Sequence, residues 1–177
     1  MGFDSSIAFD ESRIHAAAVY CSDGRWGEQM DDFLHRELGL PRYDRLVVPG
    51  GPAALAGDMA FWREAELLDK HLRFLIDVHA LERVVLIAHQ DCAFYTRTLG
   101  VSASELEARQ NKDLAAAARR VRGLGPVDVS TYRASREGGV VRVEQVRKTQ
   151  TPDRKPPTQV CENPPKTPTQ VENPDPG

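Results

Sequence analysis

One segment limits the possible folds more than any other. Arg83-Val-Val-Leu-Ile-Ala88 is a continuous apolar run with no polar alternation. A strand of that kind is covered on both faces, as central strands of parallel sheets are. What surrounds it agrees. Upstream, Phe61, Ala65, Leu68, Leu72 and Leu75 recur at helical spacing and predict an amphipathic helix ending near Ala80. Downstream, Ser102 and Glu105 form a capping-box pattern that predicts a helix from there to about Arg122, closed by Gly123 and Gly125.

The rest of the chain extends the alternation. Ile14–Tyr20 reads as a buried strand ending at Cys21. Arg25–Leu38 reads as a helix with Trp26, Met30, Phe33 and Leu34 on one side, ended by Gly39 and Pro41. Tyr43–Val48 is a second strand, stopped by Pro49-Gly50-Gly51-Pro52. Val127–Ser135 is a fourth, and Glu137-Gly138-Gly139 turns it into an antiparallel edge strand, Val140–Val146. The expectation is an α/β domain over 1–147 with a mainly parallel sheet in the order 2-1-3-4, an antiparallel edge strand and flanking helices. Residues 148–177 differ. Eight of the twelve prolines lie beyond Gln150, and Pro157-Thr-Gln-Val-Cys-Glu-Asn-Pro164 nearly repeats as Pro168-Thr-Gln-Val-Glu-Asn-Pro174. With few large apolar side chains to offset the entropy of ordering, this stretch reads as a disordered Pro-rich tail.

A formal charge of -3 gives no reason to expect nucleic acid or an anionic membrane as partner. No apolar run approaches the ~20 residues of a transmembrane helix. Three cysteines are few for a disulfide scaffold and suit a cytoplasmic chain. Two of them end or follow strands: Cys21-Ser-Asp23-Gly-Arg25 after the first, His89-Gln-Asp-Cys92 after the third. In a 2-1-3 order those strand ends are neighbours at the topological switch point, where open α/β sheets bind ligands. Two thiolates and an imidazole suit Zn2+ and leave one tetrahedral position open, as catalytic zinc requires. Asp23 is near enough to accept a hydrogen bond from water there, and Arg25 can hold Asp23 in a bidentate pair. Gly50 and Gly51 can lend backbone N–H groups to an anion. Each residue also has a plainer reading. A lone Cys is commonly a small buried hydrophobe, Asp23 suits a helix cap, and Asp91 fits a tight turn. Tyr95, His71 and His79 are read as core or surface residues, and Trp62, Phe74 and Leu75 as core or dimer interface.

The pattern resembles the β-class carbonic anhydrases, which carry Cys-x-Asp-x-Arg after the first strand and His-x-x-Cys after the third. The resemblance spans roughly Ile14 to Val146. It implies that Cys21, His89 and Cys92 are zinc ligands, that Asp23 and Arg25 are a catalytic dyad, and that the reaction is reversible hydration of carbon dioxide to bicarbonate by a zinc-bound hydroxide. It also implies a homodimer. The chain departs from the family pattern at Ala88, at Ala93-Phe94-Tyr95 and at Val47-Val-Pro-Gly-Gly-Pro52. Those departures keep two alternatives open: hydrolysis of carbon disulfide or carbonyl sulfide, and a non-catalytic zinc-binding interaction protein.

Overall fold

A computed structural model describes residues 1–146; the region read as a Pro-rich tail, 148–177, lies outside the described residues, together with Cys161. Five strands, β1 (Ala16–Cys21), β2 (Asp44–Val48), β3 (Arg83–His89), β4 (Asp128–Glu137) and β5 (Val140–Gln145), form one sheet in the order β2-β1-β3-β4-β5. The first three pairings are parallel and β4–β5 is antiparallel, as the sequence predicts.

Period-two alternation divides the core between the two faces. Ala17 and Val19 of β1 join Val84, Leu86 and Ala88 of β3 on one face. There they meet Leu68, Leu72 and Ile76 of α2 (Trp62–His79) and Leu114, Ala117 and Val121 of α3 (Leu106–Arg122). Ala16, Ala18 and Tyr20 join Val85 and Ile87 on the other face, under Trp26, Met30 and Leu34. β1 and β3 therefore bury nearly every side chain, and the alanines of β1 keep the helices close. β2 and β5 sit at the edges and alternate between partial burial and exposure.

Local differences from the sequence expectation have identifiable causes. The first helix is shorter than Arg25–Leu38. It begins at Gly27 (α1, Gly27–Asp32) and widens into a π-helical turn over Phe33–Glu37. A second π-helical turn, Phe94–Thr98, and a 3-10 turn, Gly51–Ala56, occupy segments left as loops by apolar periodicity. The capping box is not formed. Ser102 Oγ donates to the Glu105 carboxylate at 2.5 Å, and Glu105 itself occupies the cap of α3 without a side-chain cap bond. Trp62 and Phe74 are exposed, so neither belongs to the core of the chain; only Leu75 of that trio packs against it.

One feature of the register creates the site. β1 pairs with β3 only as far as Val19↔Leu86. Beyond that point β1 continues against β2 to Cys21↔Val48, and β3 continues against β4 to His89↔Ala134. The two central strands part at their carboxyl ends, with α1 leaving on one face and α3 on the other. Cys21 and His89 stand on either side of the opening.

Candidate metal centre

Cys21 and His89 are the last residues of their strands, and Cys92 is reached by a short turn. That turn needs a left-handed residue, which Asp91 supplies at φ 56°, a conformation Asp tolerates better than most residues. Tyr95 N–H and Thr96 N–H then donate to the Cys92 carbonyl at 3.1 and 3.2 Å, so the thiol is carried into the start of the following π-helical turn.

The candidate ligand atoms of Cys21, His89 and Cys92 all lie within 4.8 Å of one another, the one such cluster among the described residues. The two sulfurs are 3.8 Å apart. Two thiolates each ~2.3 Å from a tetrahedral zinc would sit about 3.8 Å apart, so the pair has the spacing of that geometry. His89 is 1% exposed. Its Nδ1 lies 2.7 Å from the Gln90 carbonyl, an acceptor, so Nδ1 carries the proton and Nε2 presents a lone pair. That Nε2 is buried and has no hydrogen-bond partner. A buried nitrogen lone pair left unpaired is costly, and a cation held with the two sulfurs removes the cost. The donor set therefore fits a thiophilic divalent metal ion.

The electrostatics point the same way. The Cys21 thiol is pulled down from its ordinary range, chiefly by the hydrogen bond from Cys92, with the neighbouring His89 ring and the backbone of Asp23 and Gly50 acting in the same direction. Cys92 is pushed the other way by the same contact and by burial. The pair holds one negative charge readily and resists a second, a resistance that a cation between the sulfurs cancels.

Asp23 and Arg25 meet as the spacing predicts. Arg25 Nε donates to Asp23 Oδ1 at 2.9 Å and Arg25 Nη2 to Oδ2 at 2.5 Å, with the Arg25 backbone N–H on Oδ1 at 3.1 Å. The guanidinium holds the Asp23 carboxyl down at about 2. Gly50 and Gly51 take left-handed φ of 76° and 56°. A Cβ on Gly51 would come within 2.8 Å of the Tyr20 carbonyl carbon, and one on Gly50 within 2.5 Å of the Phe94 ring. Glycine is thus required for the chain to pass this close to the end of β1. The backbone of Gly50 helps to lower the Cys21 thiol.

Of the residues read as core or surface, Tyr95 is buried against Asp113, and His79 pairs with Asp44 at 2.7 Å. Asp44 faces Ala17 at the start of β1, so His79 is at the opposite end of the sheet from the cysteines. Several contributors escape a reading of the sequence. Trp26 stacks against the His89 ring with centroids 4.9 Å apart. Gln90 and Gln110 fix the ligand loop by hydrogen bonds. Nothing in a lone Gln on a helix signals that role.

A family model described as "Putative carbonic anhydrase" matches residues 11–143. Among curated proteins, none matches in sequence. Solved structures that align with this chain include two β-carbonic anhydrases. One is a β-carbonic anhydrase, isoform I, of the protozoan Trichomonas vaginalis: TM-score 0.49, 14% identity, covering 78% of this chain and 87% of that one. The other is a β-carbonic anhydrase of the fungal pathogen Aspergillus fumigatus: TM-score 0.42, 14% identity, covering 77% of each.

Proposed function

Because this chain belongs to the carbonic anhydrase-like family whose model spans residues 11–143, we propose that it is a zinc-dependent lyase that interconverts carbon dioxide and bicarbonate. The observation that carries this reading is the convergence of Cys21, His89 and Cys92, with the buried Nε2 of His89 left without a partner. Cys21 Sγ, Cys92 Sγ and His89 Nε2 hold the metal. When bound, zinc supplies Lewis acidity that makes water nucleophilic near neutral pH.

The chain's own groups do the rest. An ionised Asp23 can only accept hydrogen bonds, so it orients a water molecule at the centre by taking one of its protons in a hydrogen bond. Arg25 keeps that carboxylate ionised and turned toward its own guanidinium. Gly50 and Gly51 supply backbone N–H groups for negative charge at the centre, and that of Gly50 supports the Cys21 thiolate. The Gln90 carbonyl fixes the His89 tautomer. Trp26, Phe94 and Tyr95 wall the site with apolar surface that excludes bulk water.

That wall favours a second reading. Phe94 lies over Gly50 and stacks on Phe61 with centroids 5.1 Å apart, in a stretch where the chain departs from the family pattern. An apolar surface there suits carbonyl sulfide or carbon disulfide as well as carbon dioxide.

Metal analysis and kinetics decide. Purified protein is expected to carry about one zinc per chain, lost on Cys92→Ser, and to hydrate carbon dioxide in a stopped-flow assay at alkaline pH. Zinc-loaded protein that releases sulfide from carbonyl sulfide without hydrating carbon dioxide supports the second reading. Protein that takes up no zinc overturns both.

A further inference from the structure

The described residues bury only four polar or charged side chains: His89, Gln110, Asp113 and Ser130. Three of these meet at one loop. Gln110 of α3 is 0% exposed. Its Nε2 donates to the His89 backbone carbonyl at 2.8 Å, and its Oε1 accepts from Arg133 Nε at 3.2 Å. Arg133 is braced in turn by Glu107, Nη1 to Oε2 at 3.3 Å. From the other side, Gln90 N–H donates to the Ala134 carbonyl at 2.8 Å, and Gln90 Oε1 accepts from the Arg136 N–H at 2.8 Å. The His89 ring is held at Nδ1 by Gln90, and its backbone is held by Gln110.

We propose that Gln110 is a positioning residue for the metal centre, fixing through the His89 carbonyl the direction in which the His89 imidazole presents Nε2. The proposal rests on the reading of Cys21, His89 and Cys92 as metal ligands. Stability alone does not single out Gln110. Its buried hydrogen bonds to the His89 carbonyl and from Arg133 support the fold, since removing the amide leaves both partners unpaired. What Gln110 has that an apolar residue lacks is a donor aimed at the backbone of a ligand. Groups that orient metal ligands from behind contribute to affinity without touching the metal. Asp113, one turn further along the same helix face, repeats the arrangement: Arg109 Nε holds its two oxygens at 3.0 and 2.9 Å, and it faces the phenol of Tyr95, three residues past Cys92.

The test uses Gln110→Met in the full chain, with zinc affinity measured by competition with a chromophoric chelator and thermal unfolding measured on metal-free protein. The expected result is about 10–100-fold weaker zinc binding, with metal-free stability lowered by no more than the loss of one buried hydrogen-bonding side chain. The Co2+-loaded variant should also show shifted d–d bands, which report ligand geometry. Gln110→Glu keeps the shape and the acceptor for Arg133 but, ionised, has no hydrogen for the His89 carbonyl. It too should bind zinc more weakly, and it serves where the Met variant does not fold. A folded variant with wild-type zinc affinity and unshifted cobalt bands overturns the proposal, as does a variant whose only defect is lower stability. If the wild-type chain takes up no zinc, the metal reading itself fails and this proposal with it, a result distinct from the other two.

Discussion

Arg25 shows how much can depend on a residue that touches no ligand. Its guanidinium is largely exposed, yet it covers both oxygens of Asp23. Removing it should leave the cysteines and His89 undisturbed while freeing the carboxylate to rotate. Arg25→Ala is therefore expected to keep one zinc per chain by metal analysis and to lower the turnover rate about tenfold or more, the scale of effect that misplaced catalytic groups produce. Loss of zinc along with activity would instead assign Arg25 a structural part. Cys21, Asp23, Arg25, His89 and Cys92 were all legible in the sequence because each is a chemically distinctive residue at a predicted strand end. Gln110 and Asp113 were not. On a helix as polar as Leu106–Arg122 they look like solvent-facing residues, and only the tertiary packing places them inward.

α2 and α3 carry different burdens. α2 is an ordinary amphipathic helix: Leu72 is 0% exposed against the sheet, and Leu67 is 54% exposed on the outer side. Leu72→Ala is expected to reduce the unfolding free energy by about 2–5 kcal/mol, and Leu67→Ala by under about 0.5 kcal/mol, as measured by urea denaturation. α3 buries Asp113, whose carboxyl is raised from its ordinary 3.8 because burial outweighs the help of Arg109 and Tyr95. A raised carboxyl binds protons in the folded state that the unfolded state has already released. Stability relative to Asp113→Asn should then fall as pH rises through 3.8 toward the folded value, and level off above it. Urea unfolding of the two metal-free proteins across that window checks the sign. Strand positions were readable because β1 and β3 are apolar throughout. The two π-helical turns were hidden because a single wide turn leaves the apolar spacing of Phe33, Leu34, Phe94 and Tyr95 compatible with an ordinary helix or a loop.

For the molecule as a whole, every candidate ligand, both members of the Asp23–Arg25 pair and the full family match lie before residue 147. Deleting residues 151–177 is expected to leave zinc content and hydration rate unchanged, which metal analysis and stopped-flow kinetics on the truncated chain would verify. The homodimer implied by the family resemblance is a separate expectation, to be settled by light scattering of the full chain. The sheet order was recoverable from sequence because alternating strands and helices admit few topologies. The early parting of β1 from β3 was not, since a register is set by pairing rather than by composition. The closeness of the centre has its own outcome. His89 and Cys92 are each 1% exposed, and aromatic rings crowd the approach. An ion seated there can exchange with solvent only when the loop breathes, so stripping by a strong chelator should proceed at a pace set by the protein's own opening and indifferent to how much chelator is added.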